Sequence, residues 1–238
     1  MSDSLCVLIP SYNRANIIGL TLPTWLRSRW VSRAIIVAES MREEEVGKYE
    51  EVLSKLNKAY NGKITYVLGR GRSGSVNARN KLLKLATECN CRYAVMADDD
   101  YVLPSPEYPA RMARWLRIKD VGAVGGRVVM VNKRMVDPDF FLNAPIPIAD
   151  ALTKILGYIL LDVRNGPRYA EYLTPFYMIK QDLIGKVQYS GEYLGTAFRE
   201  ESDVHEQIKR LGYRLIIDPQ VYVYHLGLEY GGNRQKCR

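Results

Sequence analysis

An apolar run and three successive acidic residues stand together in the stretch Tyr93-Ala94-Val95-Met96-Ala97-Asp98-Asp99-Asp100-Tyr101-Val102-Leu103-Pro104. Its apolar start leaves no room for a helical period before the proline, which predicts a buried strand that ends in three carboxylates. Adjacent anions repel one another, so such a cluster is favoured where a cation lies between the carboxylates or where water screens them. Oxygen-rich sites suit Mg²⁺ or Mn²⁺ bound together with substrate phosphates. The stretch therefore favours a metal-diphosphate site, with a solvated acidic turn as the alternative.

Three units of strand and helix precede this stretch. The strands are predicted at Leu5–Ile9, Ala34–Ala38 and Ile64–Leu68, and the helices at Asn16–Arg27, Arg42–Ala59 and Val76–Thr87. Repeated units with buried strands indicate a parallel sheet with helices on both faces. Ligands of such sheets bind outside the carboxyl ends of the strands, so the polar turns after the strands are expected to converge on one edge. These turns begin at Pro10, Glu39, Gly69 and Asp98.

The pattern changes beyond Pro104. Helices are predicted at Glu107–Lys119 and Glu200–Leu211, and strands at Gly122–Val131, Tyr172–Ile179, Leu215–Ile217 and Val221–Tyr224. The stretch 132–171 is irregular and rich in proline, and loops of this length are usually functional or mobile. Because the sequence shows no repeat, low-complexity tract or break in composition, we predict a single domain over residues 1–238.

The composition is that of a soluble globular protein, with 47% hydrophobic and 25% charged residues among 238. The formal net charge of +8 favours anionic partners, namely nucleic acid, phosphorylated small molecules or an anionic membrane surface. A basic binding protein for nucleic acid or anionic membrane, without enzymatic activity, is therefore one alternative. The basic residues are dispersed, however, and no known nucleic-acid-binding module is present, so we expect no nucleic-acid partner.

The cysteines and the apolar segments bear on location. Cys6 lies in an apolar strand, and Cys89-Asn90-Cys91 has no companion cysteine or histidine at zinc-site spacing, so the sequence supports neither a disulfide framework nor a zinc site. These features predict a reducing compartment. The start of the chain lacks the pattern of a signal peptide, and the apolar segment Ala144–Val163 is interrupted by prolines and charges. We expect a cytoplasmic protein, with peripheral contact at the inner membrane face as an alternative.

A glycine motif occupies the turn after the third predicted strand. Gly69-x-Gly71-x-x-Gly74 matches the dinucleotide-binding fingerprint and opens a helix, so an NAD(P)-dependent oxidoreductase is a second alternative. Two arginines, however, stand where the fingerprint requires close approach of the backbone. We favour the interpretation that Arg70 and Arg72, with Arg79 in the following helix, supply positive charge near a diphosphate, because guanidinium groups suit bidentate phosphate contact.

A second acidic cluster, Glu200-Glu201-Ser202-Asp203, opens a predicted helix. Acids in a first helical turn are favoured by the helix dipole, so the cluster can be a simple cap. The functional alternative is a general base that takes a proton from an attacking hydroxyl. Of the two histidines, His205 is expected at the surface of this helix, whereas His225 ends a strand. Imidazole is an acceptable third partner for Mn²⁺.

Taken together, these residues resemble the family 2 glycosyltransferases of the GT-A fold. The resemblance rests on Pro10-Ser11-Tyr12-Asn13-Arg14, Ala78-Arg79-Asn80, Asp98-x-Asp100 followed by a proline, Glu200-Glu201-x-Asp203, Leu211-Gly212-Tyr213 and Val223-x-His225. It runs from Leu5 to about Gly227. The fold that it implies is a Rossmann-like α/β domain with a mixed, mainly parallel sheet flanked by helices. Residues 1–104 would form the half that binds the nucleotide sugar, and residues 105–238 the acceptor half with the loop at about 132–171.

The resemblance also implies an activity: transfer of a sugar from a nucleotide-diphosphate donor to an acceptor hydroxyl, with inversion. The cofactor would be Mn²⁺ or Mg²⁺, held by Asp98, Asp100 and His225. The donor would be bound by Pro10, Tyr12, Arg14, Glu39, Arg72, Arg79, Asp98 and Asp99. Glu201 would be the general base. The acceptor would be a glycan, a lipid-linked molecule or a small molecule, and the apolar segment Ile146–Leu161 is a candidate for approach to a lipid.

Three departures from the family pattern keep alternatives open. Glu39-Ser40 stands where the family usually has aspartate, which leaves recognition of the nucleobase open. The base could be Glu200 in place of Glu201. Ala97 stands where many relatives have another aspartate, so a register that places Asp99 on the metal is also possible.

Overall fold

The structure is a computed structural model, and it describes residues 4–131, 166–192 and 200–228. Strands are β1 Leu5–Tyr12, β2 Val31–Ser40, β3 Ile64–Arg70, β4 Tyr93–Met96, β5 Tyr101–Val102, β6 Val121–Met130, β7 Arg168–Ala170, β8 Tyr177–Lys180 and β9 Arg214–His225. Helices are α1 Ala15–Leu26, α2 Glu43–Ala59, α3 Ser75–Glu88, α4 Tyr108–Trp115 and α5 Glu200–Arg210. The short segment Gln181–Leu183 forms a single 3₁₀ turn.

These strands form one mixed sheet in the order β3-β2-β1-β4-β8-β6-β9-β5, and β7 also pairs with β9. Strands β1 to β4 are mutually parallel. β8 runs antiparallel to both of its neighbours, β4 and β6, and β9 is parallel to β6. The carboxyl ends of β6 and β9 therefore lie at the same edge as those of β1 to β4. This arrangement confirms the predicted mixed, mainly parallel sheet, and it delivers both halves of the chain to one edge.

Helices cover both faces of the sheet, as the alternating pattern predicts. On one face, α1, α2 and α4 contribute to a core that includes Trp25, Tyr49 and Met112. On the other face, α3 and α5 pack through Leu82 and Ile208, among others. The central strands are buried on both faces because they are almost continuously apolar, which is the pattern expected of parallel strands between two helical layers.

The last strand differs from its prediction. Two short strands were expected on either side of Asp218-Pro219, whereas β9 is continuous. Between the paired positions Gly125–Ile217 and Arg127–Tyr222, a single residue of β6 lies opposite four residues of β9. That residue is Gly126, and only glycine fits there, because a Cβ would lie 2.5 Å from a backbone oxygen of β9. The proline is tolerated because a bulge does not require its missing N–H.

The carboxylate of Asp218 stabilises this bulge. It is fully buried and accepts hydrogen bonds from Arg111 Nε at 2.6 Å and Trp115 Nε1 at 2.9 Å. Both donors belong to α4, so the bulge is tied to the helix that covers it.

A second difference concerns β7, which forms within the stretch expected to be irregular. Residues 132–165 of that stretch lie outside the described residues.

The expectation that the chain has no disulfide is wrong. Cys6 on β1 and Cys91 just before β4 form a disulfide with a Cα–Cα distance of 5.8 Å. The two residues are 85 positions apart, and only the direct pairing of β1 with β4, which places Cys6 opposite Ala94, makes them neighbours. Cys89 is the free cysteine of the Cys-x-Cys pair. Sequence spacing could not reveal this bond because it depends on strand order.

Removal of the disulfide is expected to destabilise the fold. A crosslink that closes a long loop restricts the unfolded chain and typically contributes about 2–4 kcal/mol to the free energy of unfolding. The double variant Cys6→Ala/Cys91→Ala should therefore show a lower urea midpoint than the wild type, measured by circular dichroism. Cys89→Ser is the matched control and should leave the midpoint unchanged. Equal midpoints for the double variant and the wild type would contradict this prediction.

In the part of the chain that the structure describes, no helix combines the length and apolar character needed to cross a bilayer. The apolar segment Ala144–Val163 discussed above lies outside the described residues.

Candidate active site

Polar side chains from five strand ends meet at the carboxyl edge of the sheet. β4 ends at Met96, and the three aspartates follow it directly. The turns after β1, β2 and β3 lie beside them, and β9 ends at His225. Hydrogen bonds connect these segments, for example from Arg14 to Asp99 and from Ser73 to Glu39. The expected convergence of the turns on one edge is therefore present.

The middle aspartate faces the protein interior. Asp99 is 4% exposed; its carboxylate accepts hydrogen bonds from Arg14 Nη1 at 2.9 Å and Ser11 Oγ at 2.6 Å. Its backbone oxygen accepts a further bond from Thr21. Burial raises the pKa of Asp99 to about 6, although the positive charge of Arg14 acts in the opposite direction. Asp99 thus acts as an internal anchor for the turn after β4, and the hydrogen bonds from Arg14 and Ser11 compensate the burial of its carboxylate.

Asp100 is also buried, but only one of its oxygens is engaged. Oδ2 lies 3.2 Å from Arg14 Nη1 and 3.2 Å from His225 Nε2. Burial opposes the ionisation of Asp100, yet the hydrogen bond and charge of His225 together with Arg14 lower its pKa. Oδ1 has no hydrogen-bond partner among the described residues. An orphaned, buried carboxylate oxygen carries a desolvation cost that a bound cation would offset.

The residues predicted as metal ligands fit a divalent cation in their chemistry. Asp98 has a side chain that is 30% exposed, Asp100 has the orphaned oxygen, and His225 contacts Asp100. No group of three or more acidic, histidine or cysteine side chains is arranged to hold a metal ion within residues 4–131, 166–192 and 200–228. This is compatible with Mg²⁺ or Mn²⁺, because these ions are commonly held by one or two carboxylates with substrate phosphates completing the shell.

Arg79 joins the two acidic clusters. It projects from α3, is 4% exposed, and places Nη2 at 2.8 Å from Asp98 Oδ1 and 3.4 Å from Glu201 Oε1. Its Nε lies 2.9 Å from Glu200 Oε1, close enough for an ion pair but not aligned as a hydrogen bond. The ring of Tyr189 covers the guanidinium at 5.5 Å. One buried cation therefore brings the end of β4 next to the start of α5.

The two glutamates of α5 have different surroundings. Glu200 is 1% exposed, and both of its oxygens lie within hydrogen-bond distance of Ser75 Oγ. Burial raises the pKa of Glu200 to about 7, against the effect of Arg79. The side chain of Glu201 is 13% exposed, and burial raises its pKa as well. Glu201 is thus the more accessible of the two carboxylates, while Glu200 is buried and hydrogen-bonded to Ser75.

The turns after β1, β2 and β3 form the other end of the site. The guanidinium of Arg72 lies 5.3 Å from the ring centre of Tyr12. Glu39 accepts hydrogen bonds from the backbone N–H of Ser73 at 2.8 Å and from its hydroxyl at 2.7 Å, so the glycine-rich turn is tied to the end of β2. Gly74 adopts a φ of +88° where this turn enters α3, a conformation that glycine permits without strain. Pro10, predicted to contact the donor, is partly exposed on β1.

Sequence analysis missed several residues that position the site. Ser11, Ser75 and Tyr189 each contact one of the charged groups described above, yet serine and tyrosine are too common for their presence to indicate a role. Two of them lay beside a usable signal: Ser11 is part of the motif Pro10-Ser11-Tyr12-Asn13-Arg14, and Ser75 lies where the glycine-rich turn meets the predicted helix.

The prediction that His205 lies at the surface is wrong. Its side chain is fully buried in α5; Nδ1 accepts a hydrogen bond from the backbone N–H of Leu173 at 3.4 Å, and the ring meets Tyr177 edge-on at 4.9 Å. Nε2 has no hydrogen-bond partner in the described part of the chain. Burial lowers the pKa of His205 to about 3. The imidazole therefore packs as a neutral ring that fixes the acid-bearing helix against the sheet.

Acid should weaken the fold through His205. Its pKa is lower in the folded state than the ordinary value of 6.5, so its contribution is complete above that value and is lost as the pH falls from 6.5 towards 3. Protonation in the unfolded state alone reduces the free energy of unfolding by about 1.4 kcal/mol per pH unit in this window. Urea midpoints at about pH 7 and pH 5 should differ more for the wild type than for His205→Asn. An identical pH dependence of the two proteins would refute the assignment.

Comparison with known proteins identifies the family. The model of glycosyl transferase family 2 matches residues 6–137, which is more than half of the chain and includes the glycine motif at 69–74. A comparison with curated protein sequences gives no match.

Several solved structures share the fold. A mannosyltransferase, PcManGT from Pyrobaculum calidifontis in complex with GDP-Man and Mn²⁺, aligns with a TM-score of 0.67 and 19% identity over 96% of this chain and 58% of that one. TarS 1-349 from S. aureus gives 0.60 and 14%, over 94% and 60%. GalNAc-T7 with UDP, GalNAc and Mn²⁺ gives 0.65 and 13%, over 94% and 44%.

These likenesses confirm the predicted GT-A fold. The chain spans between 44% and 60% of the length of these three structures. The family match extends from β1 through the three aspartates to residue 137, so it includes the ends of β1 to β4, whereas His225 and the glutamates of α5 lie beyond it. The chain belongs to glycosyl transferase family 2.

Proposed function

We propose that this protein is a metal-dependent glycosyltransferase that moves a sugar from a nucleotide-diphosphate donor to an acceptor hydroxyl. The observation that carries the proposal is the position of Arg79, which brings Asp98 at the end of β4 together with Glu200 and Glu201 at the start of α5. Asp98, which can hold the metal ion of a donor diphosphate, and Glu201, which can take a proton, are thereby neighbours. Family membership supports the same reaction class.

The donor's diphosphate would be bound at the aspartates. Asp98, Asp100 and His225 would hold Mn²⁺ or Mg²⁺, which as a Lewis acid supplies stabilisation of the charge on the departing diphosphate. The orphaned oxygen of Asp100 supports this assignment. Two structures of the same fold are complexes with Mn²⁺ and a nucleotide or nucleotide sugar. The second register, with Asp99 on the metal, has less support because both of its oxygens are engaged by Arg14 and Ser11.

The nucleoside would lie at the turns after β1 and β2. The ring of Tyr12, covered on one side by Arg72, offers an aromatic surface beside a positive charge, which suits a base and a phosphate. Glu39 offers a carboxylate that accepts hydrogen bonds, at present from Ser73. Pro10 lies two residues before Tyr12 on the same strand and would complete this wall.

The acceptor would be activated by Glu201. Its carboxylate is partly exposed and has a raised pKa, which is the state expected of a general base that works near neutral pH. Direct attack by the deprotonated hydroxyl on the face opposite the diphosphate would invert the anomeric carbon. Proton NMR of the first product formed would show whether the configuration is inverted.

The acceptor half would comprise residues 105–238 and would take a glycan, a lipid-linked molecule or a small molecule. The net charge of +8 is compatible with peripheral contact at an anionic membrane surface. The apolar segment Ile146–Leu161, suggested for a lipid-linked acceptor, lies outside the described residues.

Titration calorimetry with UDP and GDP tests the donor site. Binding of one nucleotide should strengthen when Mn²⁺ is present, and Asp100→Ala should abolish that strengthening because it removes the orphaned oxygen. Asp182→Ala, an exposed aspartate in the 3₁₀ turn, is the control and should keep the metal effect. Nucleotide affinities that ignore both Mn²⁺ and Asp100→Ala would show that the three aspartates are not a metal-diphosphate site.

A further inference from the structure

We propose that Arg14 is a positioning residue that holds Asp100, His225 and the segment 226–228 in the geometry of the metal site, and that it does not contact the nucleotide sugar. The inference rests on the proposed function for its metal ion. It deepens that function by giving a residue expected to bind the donor a different task.

The contacts of Arg14 point inward. The residue is 7% exposed. Its Nη1 donates to Asp99 Oδ1 at 2.9 Å and to Asp100 Oδ2 at 3.2 Å, and Nη2 donates to the backbone oxygen of Leu228 at 3.2 Å. One guanidinium therefore binds two successive aspartates and a backbone carbonyl 214 positions further along the chain.

The segment that Arg14 reaches is tied to the same aspartate by the backbone. The N–H of Leu226 donates to the backbone oxygen of Asp100 at 3.1 Å, and His225 Nε2 meets the Asp100 carboxylate at 3.2 Å. The ring of Tyr101 packs edge-on against His225 at 5.1 Å. Arg14 closes this arrangement, because it is bonded both to Asp100 and to the segment after β9.

These contacts determine where the orphaned oxygen of Asp100 points. Arg14 and His225 both hold Oδ2, which leaves Oδ1 as the oxygen available to a cation. A planar guanidinium can bind several acceptors at fixed angles, whereas an ammonium group is a point charge that cannot reproduce this fork. Groups that orient a metal-binding carboxylate typically change metal affinity by about 10–100-fold when they are removed.

If Arg14 positions the metal site, its removal should change Mn²⁺ affinity in the opposite direction from the change expected if Arg14 acts only as a positive charge. Loss of a positive charge beside a cation site reduces repulsion and should tighten binding, whereas loss of a positioning contact should weaken it. The double variant Arg14→Met/Asp99→Asn removes one positive and one negative charge, so the net charge of the site is unchanged. We expect this variant to bind Mn²⁺ about 10-fold more weakly than the wild type, measured from the free Mn²⁺ signal in electron paramagnetic resonance.

Two further variants complete the comparison. Arg14→Lys keeps the charge and a hydrophobic stem but loses the fork, and it should also weaken Mn²⁺ binding. Arg111→Met/Asp218→Asn makes the same exchange at the ion pair that joins α4 to the β9 bulge, and it should leave Mn²⁺ affinity unchanged. Equal Mn²⁺ affinity for the wild type and Arg14→Met/Asp99→Asn would overturn the proposal.

A second measurement does not need the metal. Amide hydrogen exchange at Leu226 reports the bond to Asp100, and we expect protection there to fall at least about 10-fold in Arg14→Met/Asp99→Asn, because the segment loses an anchor. Protection that stays at the wild-type level would overturn the proposal. If the wild type itself binds no Mn²⁺, the metal part of the proposed function fails, and the exchange at Leu226 alone decides whether Arg14 has the positioning role.

Discussion

Replacement of Glu201 by glutamine is expected to reduce the rate of sugar transfer by about 10²–10⁴-fold, the usual contribution of a general base. Glutamine preserves the shape of the side chain but cannot take a proton from the acceptor. Donor binding should not change, because the site assigned to the nucleotide lies at the aspartates and at the turns after β1 and β2. The measurement compares turnover with the affinity for UDP or GDP in the presence of Mn²⁺.

The pH dependence of transfer should change in the same variant. A general base acts in its deprotonated form, so wild-type activity should fall as the pH drops through the raised pKa of Glu201. This acidic limb should disappear from the residual activity of Glu201→Gln.

Two glutamate variants make the assignment specific. Glu206→Gln alters a carboxylate on the same helix that pairs with Lys209, and it should leave transfer unchanged. Glu200→Gln should affect transfer less than Glu201→Gln, because Glu200 is almost completely buried beside Ser75. If Glu200→Gln lost more activity than Glu201→Gln, the base would be Glu200.

Replacement of Arg79 by methionine is expected to lower the free energy of unfolding by about 3–5 kcal/mol, the usual effect of removing one partner from a buried ion pair. Methionine fills much of the space but leaves Asp98, Glu200 and Glu201 without their shared cation. Mutual repulsion would then separate the end of β4 from the start of α5. Urea denaturation followed by circular dichroism measures the change.

A variant that also removes one of the negative charges around Arg79 provides the control for Arg79→Met. In Arg79→Met/Glu200→Gln one negative charge is removed together with the arginine, so part of the lost stability should return. Arg72→Met alters an exposed arginine in the neighbouring turn and should stay within about 0.5 kcal/mol of the wild type, as is usual for surface changes. An Arg79→Met protein as stable as the wild type would show that Arg79 does not hold the two clusters together.

Local patterns in the sequence were sufficient for most of the sheet. The apolar runs at β1, β2, β3 and β4 and the helical periods between them predict a parallel arrangement, because a strand buried on both faces has to be apolar throughout. The failures occurred where distant residues compensate an unfavourable local feature. Pro219 interrupts a strand pattern, yet β9 continues because Gly126 makes room for a bulge and Arg111 pairs with the buried Asp218.

The candidate active site shows the same difference between what local sequence predicts and what long-range contacts add. Three successive aspartates favour either a nearby positive charge or screening by water, and the sequence predicts these two alternatives on electrostatic grounds alone. It does not say where the charge comes from. The structure supplies Arg79 to Asp98, and Arg14 to both Asp99 and Asp100. His205 was expected in water and is buried, because neighbours along a helix do not report what packs on it.

For Tyr93–Pro104, hydrophobic pattern and charge were enough to predict a buried strand that ends in a carboxylate cluster at the ligand edge of an α/β sheet, because both are properties of neighbouring residues. The long-range contacts in the folded chain show that Asp99 is bonded to interior groups and that Asp100 retains an orphaned oxygen. The same holds for the disulfide between Cys6 and Cys91, which depends on β1 lying beside β4. The physical reason is that side-chain direction and long-range partners are fixed by strand order and helix packing, which bring together residues far apart in the chain.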